Sequence, residues 1–283
     1  MADTSFPSEA RVGFIGLGHM GAAMATRIIA AGFPTVLWAR RREALAQFQD
    51  VEVAASPAEL AAAVDFVGIC VWSDDDVREV FDGEAGVLAG CKPGTVVAIH
   101  STTAPATCRE LARAGAARGV VVVDAPISGG PDAALAGSLV VAVGGDEAAV
   151  ERCRPVFSTF ADLIVHLGPV GSAQIAKLVN NALFCANFTL GDDALALGAA
   201  LGLDPDALAQ VLMRGSGRSL GVDVASRART STETRERALG PLEKDVRCLT
   251  SDAAPAESAA VPLFTEAARD AIRRLANPEG QGK

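Results

Sequence analysis

The chain has 283 residues, 50% of them hydrophobic and 21% charged, which suits a folded soluble protein with one large core or two modest ones. A formal net charge of −9 argues against a nucleic-acid surface, and no stretch approaches the roughly 20 uninterrupted apolar residues of a membrane span. The six cysteines are scattered without a C-x-x-C pair and the three histidines, His19, His100 and His166, lie far apart, so no metal site is expected and the thiols read as reduced, as in a cytoplasmic protein.

The opening residues 1–10, MADTSFPSEA, lack the basic start and apolar core of a signal peptide and are expected to form a disordered tail. Val12 to Ile15 is a short apolar run that enters Gly16-x-Gly18-x-x-Gly21. A stretch rich in Ala, Met and Ile follows, then a second apolar run from Thr35 to Ala39. Strand, glycines, helix, strand is the context in which this motif binds a dinucleotide. Gly16 permits a tight turn, Gly18 lets the backbone approach a pyrophosphate, and Gly21 lets the helix lie close to the sheet. Leu17, His19 and Met20 fill the turn, beside the free N–H groups that attract phosphate charge. After the second strand, an NAD-binding chain usually carries Asp or Glu to hold the ribose 2′-hydroxyl. This chain has Ala39, Arg40, Arg41 and Arg42. Guanidinium groups suit the 2′-phosphate of NADP, the preferred cofactor on this reading, with NAD possible; a solvated basic loop is the alternative.

Further apolar runs at 51–54, 65–71, 95–99, 120–124, 138–143 and 162–165 read as strands, buried on both faces as parallel strands are. Ala-rich helices lie between them, such as 104–117 and one at 147–156 that Asp146 can cap. Residues 11–167 therefore read as a doubly wound α/β domain of Rossmann type. The texture changes near Gly168-Pro169. Ser172 to Leu201 is one long helical stretch, and helical patterns recur at 205–214, 219–229, 240–251 and 258–275 with no convincing strand among them. Residues 168–283 read as an all-α second domain joined through the long helix, ending in a fraying NPEGQGK. Its Ala- and Leu-rich faces suggest a homodimer or homotetramer, or else they fill the domain's own core.

Absences narrow the chemistry. With no tyrosine, the chain cannot use a Tyr-x-x-x-Lys proton relay. Lys177, Asn180 and Asn181 sit at i, i+3 and i+4 of the long helix among Ile175, Leu178, Val179, Leu183 and Phe184. They are an acid–base lysine with orienting amides, or a lysine that reaches out of the core beside backbone-bonded asparagines. Asp124-Ala125-Pro126-Ile127-Ser128-Gly129-Gly130 follows a strand. Ser128 with the Gly129 and Gly130 amides can form an anion nest for a carboxylate, or an ordinary turn. Thr102, in the loop His100 to Thr103, can touch the nicotinamide ribose, or this loop caps the next helix. Lys244-Asp245 by itself reads as a surface pair.

Together these segments resemble the β-hydroxyacid dehydrogenase family, which includes 3-hydroxyisobutyrate dehydrogenase, tartronate semialdehyde reductase and the glyoxylate/succinic semialdehyde reductases. The resemblance runs from about Arg11 to Leu249. GFIGLGHMGAAMA is similar to the family's cofactor signature, DAPISGG with Ala136-Gly137-Ser138-Leu139 to its substrate loop, GSAQIAKLVNNAL to its catalytic motif, and EKDVRCL to its late Lys-Asp motif. The resemblance implies an NADP-linked oxidoreductase of a small carboxylate-bearing hydroxyacid or semialdehyde. Lys177 would be its general acid and base. Asn181, aided by Asn180, would orient the substrate, and Ser128, Gly129 and Gly130 would hold its carboxylate. Thr102 and Lys244 would touch the cofactor. Val71 and Trp72 replace the family's usual Leu-Pro, and the polar segment Thr230 to Arg237 replaces an aromatic-containing loop, which leaves the substrate open. Two rivals share the architecture: an imine reductase, in whose relatives Asp or Tyr commonly stands at position 177, and a non-catalytic NADP-binding scaffold.

Overall fold

Short runs of Val, Ile and Phe between Ala-rich helices build a six-stranded parallel sheet of order β3-β2-β1-β4-β5-β6. Its strands are β1 (Val12–Ile15), β2 (Thr35–Trp38), β3 (Glu52–Val53), β4 (Phe66–Ile69), β5 (Val96–Ile99) and β6 (Val121–Asp124). Strand period divides their side chains between two cores. Val12, Phe14, Phe66, Val96 and Ala98 face one core, and Ile15, Val67, Ile69, Val97 and Ile99 the other. The strand order reverses between β1 and β4, where ligands bind outside the carboxyl ends of such sheets. The computed structural model describes residues 6–7, 9–253 and 260–276, and the expected frayed end, 277–283, lies outside them.

Three expectations need correction. Residues 138–143 and 162–165 do not join the main sheet. They form β8 (Leu139–Val143) and β9 (Ala161–His166), paired with the two-residue β7 (Ile127–Ser128) in a separate sheet. Only one face of that sheet packs on the core: Leu139, Val141 and Val143 are buried, whereas Val140 and Leu163 are 38% and 50% exposed. The loose tail fails at Phe6, although residues 1–5 and 8 lie outside the described ones. The Phe6 ring is 5% exposed, edge-on to Phe66 and under the Arg152 guanidinium, and its N–H donates to the Arg152 carbonyl at 3.0 Å. The helix expected at 240–251 begins at Thr232 and runs to Ala253. The Ser231 hydroxyl accepts the Thr234 N–H at 3.1 Å, so a polar stretch with no apolar period starts a helix by capping. Asp146 caps Glu147–Phe157 as expected, accepting the Ala149 N–H at 3.1 Å.

The chain divides into two compact units, Met1–Lys177 and Leu178–Lys283. The division falls inside the helix Ser172–Ala200. Among the described residues the second unit holds no strand. It comprises the remainder of that helix with Pro205–Arg214, Leu220–Ala228, Thr232–Ala253 and Ala260–Ala276. Its core is small-residue packing: Cys185, Phe188, Ala225, Ala228, Ala268, Ala271 and Leu275 are buried together. Gly191 marks a close crossing, since a Cβ there would lie 2.9 Å from the Val222 Cα. Among the described residues no helix is long and apolar enough to cross a membrane.

Candidate active site

The glycine turn follows β1 directly. Gly16 has φ +92°, and a Cβ on it would overlap the Cys70 carbonyl oxygen. A Cβ on Gly21 would overlap the Gly16 carbonyl oxygen, so the helix His19–Ala30 lies against the turn only because neither residue has a side chain. Gly18 is the opposite case. A Cβ there would meet nothing within 4 Å, which leaves the backbone bare toward open space. Gly18 is also the helix N-cap, with no side-chain cap. The first-turn N–H groups thus have no intrahelical partner and point to a position suited to an anion. Leu17 is buried, His19 is exposed and Met20 is half-buried against the core.

A cavity of about 450 Å³ runs along this edge of the sheet. Gly16, Leu17 and Gly18 line it with Ala39, Arg40 and Arg41 after β2 and with Val71 and Trp72 after β4. The chain's only two tryptophans, Trp38 and Trp72, both face it, and Trp72 is 59% exposed. Seven of the expected cofactor residues besides Gly16 therefore share one hollow, while His19, Met20, Gly21 and Thr102 are not among its lining. Arg40 is not a simple basic loop residue. Its Nη1 lies 3.0 Å from Asp76 Oδ1 and 3.7 Å from Glu79 Oε2, on the helix Asp74–Asp82. The Ser73 hydroxyl, and after it Arg40, hold the Asp76 carboxyl below the ordinary carboxylate range. Among the described residues no carboxylate pairs with Arg41.

The loops after β5 and β6 meet in the same unit. Val71 N–H donates to Ser101 Oγ at 2.8 Å. Neither Ser101 nor Thr102 caps the helix Pro105–Ala116; the Ala104 N–H donates instead to the Asp74 carboxylate at 2.9 Å, which removes the capping alternative for Thr102. The Lys177 ammonium donates to Ser128 Oγ at 3.0 Å. Gly129 and Gly130 follow with φ +135° and +84°. Neither Asp124 nor Gln174 has a role in the sequence reading, yet both are fully buried here and hydrogen-bonded to one another's segments. An acid closing an apolar strand was the one available signal.

Asn180, Asn181 and Lys244 belong to the second unit. There Asn181 Nδ2 donates to Asp245 Oδ2 at 2.6 Å, and Lys244 Nζ lies 3.5 Å from Asp245 Oδ1. Asn180 Nδ2 donates to Asn181 Oδ1 at 3.1 Å. Lys244-Asp245 is not the surface pair that its sequence alone suggests: Asp245 is buried, and it fixes which way the Asn181 amide turns. His100 is a core residue. Its ring is caged by Phe14, Phe157 and Phe160, Nδ1 bonds the Ala125 carbonyl at 2.8 Å, and burial pushes its pKa down to about 4. No disulfide joins any of the six cysteines, and burial pushes the Cys108 and Cys153 thiols up to about 12.

Residues 11–168 match the family described as the NAD binding domain of 6-phosphogluconate dehydrogenase. Residues 171–283 match that described as NAD-binding of NADP-dependent 3-hydroxyisobutyrate dehydrogenase. An NAD-dependent L-serine dehydrogenase of Pseudomonas aeruginosa is 36% identical over 216 residues, 76% of this chain and 72% of that protein. The structure of Mycobacterium tuberculosis 3-hydroxyisobutyrate dehydrogenase with L-serine superposes with a TM-score of 0.81 at 26% identity, covering 95% of this chain and 94% of that one. Psf3 in complex with NADP+ and 2-OPP superposes with a TM-score of 0.80 at 27% identity, covering 94% and 93%.

Proposed function

The chain belongs to the hydroxyacid dehydrogenase family that includes 3-hydroxyisobutyrate dehydrogenase, and from that premise we propose an NADP-preferring oxidoreductase of a small β-hydroxyacid or its semialdehyde or keto acid, with Lys177 as general acid and base. The observation that carries this reading is the Lys177 ammonium held 3.0 Å from Ser128 Oγ, in the loop just past β6. A substrate carboxylate bound by Ser128 and the Gly129 and Gly130 backbone brings its neighbouring oxygen within reach of the same ammonium. In reduction Lys177 gives its proton to the carbonyl oxygen as that oxygen gains charge; in oxidation the neutral amine takes the hydroxyl proton. Asn181, its amide turned by Asp245, orients the substrate, and Asn180 supports it.

When bound, the nicotinamide dinucleotide supplies or accepts the hydride. The bare backbone at Gly18 and the uncapped helix start suit its pyrophosphate. Val71 and Trp72 line the same hollow, and Thr102 and Lys244 are further contacts on this reading. The NADP preference rests on Ala39, Arg40 and Arg41 standing where a 2′-hydroxyl acceptor would be an acid. Arg41 carries more of it than Arg40, whose charge Asp76 and Glu79 partly offset. NAD stays usable because it keeps the pyrophosphate that the glycine turn suits and lacks only the 2′-phosphate. Leu183, Leu190 and Leu197, spaced by seven on one helix, are 48%, 66% and 61% exposed, which supports self-association as a homodimer or homotetramer. Light scattering on the purified chain reads that directly.

The test of the function is NADPH oxidation with a panel of small semialdehydes and keto acids, run beside NADP+ reduction with L-serine and 3-hydroxyisobutyrate. Turnover of at least one carboxylate, faster with the phosphorylated cofactor, is expected. Tight NADPH binding without turnover of any would overturn the enzyme reading in favour of a scaffold.

A further inference from the structure

Three stretches of the first unit that are far apart in sequence meet at one carboxylate. Asp124 is the last residue of β6 and is fully buried (0% exposed). Its Oδ1 accepts the Gly171 N–H at 2.7 Å and its Oδ2 accepts the Gln174 N–H at 2.9 Å. Those amides open the helix that bears Lys177, so the carboxylate caps that helix from another strand and faces its positive end. Gln174 is also fully buried, and its side chain turns the other way. Its Nε2 donates to the Ser101 carbonyl at 2.9 Å and its Oε1 accepts the Thr103 N–H at 3.1 Å. The loop after β5, the end of β6 and the helix start are thereby tied together.

The slot fits the carboxylate closely. A Cβ on Gly144 would overlap Asp124 Oδ1, and the two residues exchange backbone hydrogen bonds of 3.0 and 2.8 Å. Burial raises the Asp124 pKa, while the Gly171 and Gln174 N–H groups favour the ionised form. Two separate N–H donors need two acceptor oxygens. An asparagine offers one and turns an NH2 toward the other donor.

The consequence reaches the acid–base group. Lys177 lies three residues past Gln174, about one helical turn, and Ser128 lies four residues past Asp124. One carboxylate therefore fixes both sides of the 3.0 Å contact between Lys177 and Ser128. We propose that Asp124, acting with Gln174, is the positioning residue that sets the Lys177 ammonium against Ser128. This rests on the reading of Lys177 as acid and base, and it concerns placement, not proton transfer by Asp124 itself. A misplacement of order 1 Å costs about 10²-fold in rate.

The test uses the full chain with Asp124→Asn and, as a second variant that keeps the carboxylate, Gln174→Met. Trace acetylation by acetic anhydride, read by peptide mass, compares Lys177 with Lys92 and Lys244. In both variants Lys177 should react faster by about tenfold, the scale of a lost charge-assisted hydrogen bond, with Lys92 and Lys244 unchanged. Turnover of whichever carboxylate the wild type uses should fall about 10²-fold, but Asp124→Asn should add nothing to Lys177→Ala. Unchanged Lys177 labelling in folded variants, or equal acceleration at all three lysines, overturns the proposal. Full turnover by Lys177→Ala overturns the lysine's role instead, and the labelling distinguishes the two failures.

Discussion

The two units bury polar groups differently, and the contrast locates their tasks. In the first, a sheet with two cores places one group of buried polar residues where strands end: Ser101, Thr103 and Asp124 all lie at or just past carboxyl ends. These groups cost little to the fold because backbone N–H and C=O groups at those ends already need partners. In the second unit a buried acid sits within helix packing. Asp192 is 5% exposed, with Arg229 Nη1 at 3.2 Å and Arg274 Nη1 at 3.3 Å, and Arg274 also binds Asp193 and Asp270. Removing one member of such a pair leaves charge without compensation, so this network specifies how the helices meet more than it adds net stability. Polar burial at the sheet's strand ends serves a site; in the helical unit the Asp192 network serves register, and Asp245 alone turns toward a site residue, Asn181.

Breaking the glycine turn tests the first half of that contrast and should have the largest effect. Gly21→Ala forces the helix off the turn, at a cost of about 3 kcal/mol or more. Thermal unfolding should read the loss, and NADPH titration a matching loss of affinity. Asp192→Ala should cost on the order of 3 kcal/mol and leave NADPH affinity unchanged. Lowered affinity would mean that the helical network also serves the site.

Acid sharpens the same contrast in the first core. Burial depresses the folded-state pKa of His100 to about 4, from the ordinary histidine value of 6.5. The unfolded chain therefore binds a proton that the folded chain does not between those values, and stability falls as pH drops through that window. The loss is on the order of 3 kcal/mol. His100→Phe should flatten the dependence of Tm on pH between 6.5 and 4, and an unchanged slope would mean other groups dominate. The smallest effect is at the cavity rim. Arg40→Ala with Arg41→Ala should reduce the preference for NADPH over NADH by about tenfold, the scale of a charge-assisted contact. Glu79→Gln should raise that preference about twofold, as expected of an exposed pair. An unchanged ratio of kcat/KM values in both variants would contradict the role given to the basic run.

The parallel sheet was legible because its strands are short, apolar and punctuated. The glycine turn was legible because each glycine meets a separate geometric demand. The second sheet was misread because Leu139 to Val143 is apolar throughout, so no alternation marked its open face. Phe6 gave no signal, being one aromatic residue without periodic neighbours. What the sequence could not expose is pairing across distance. Asp124 finds its N–H donors 47 and 50 residues away, and Arg40 its first acid 36 residues away. Residue type announced that these groups wanted partners, but only the fold supplied them.

The lysine's chemistry is tested most directly by single-turnover hydride transfer in Lys177→Ala with NADPH affinity measured on the same sample. A fall of about 10²–10⁴-fold in the rate with affinity retained is expected of a lost general acid. Hydride transfer at the wild-type rate would contradict it.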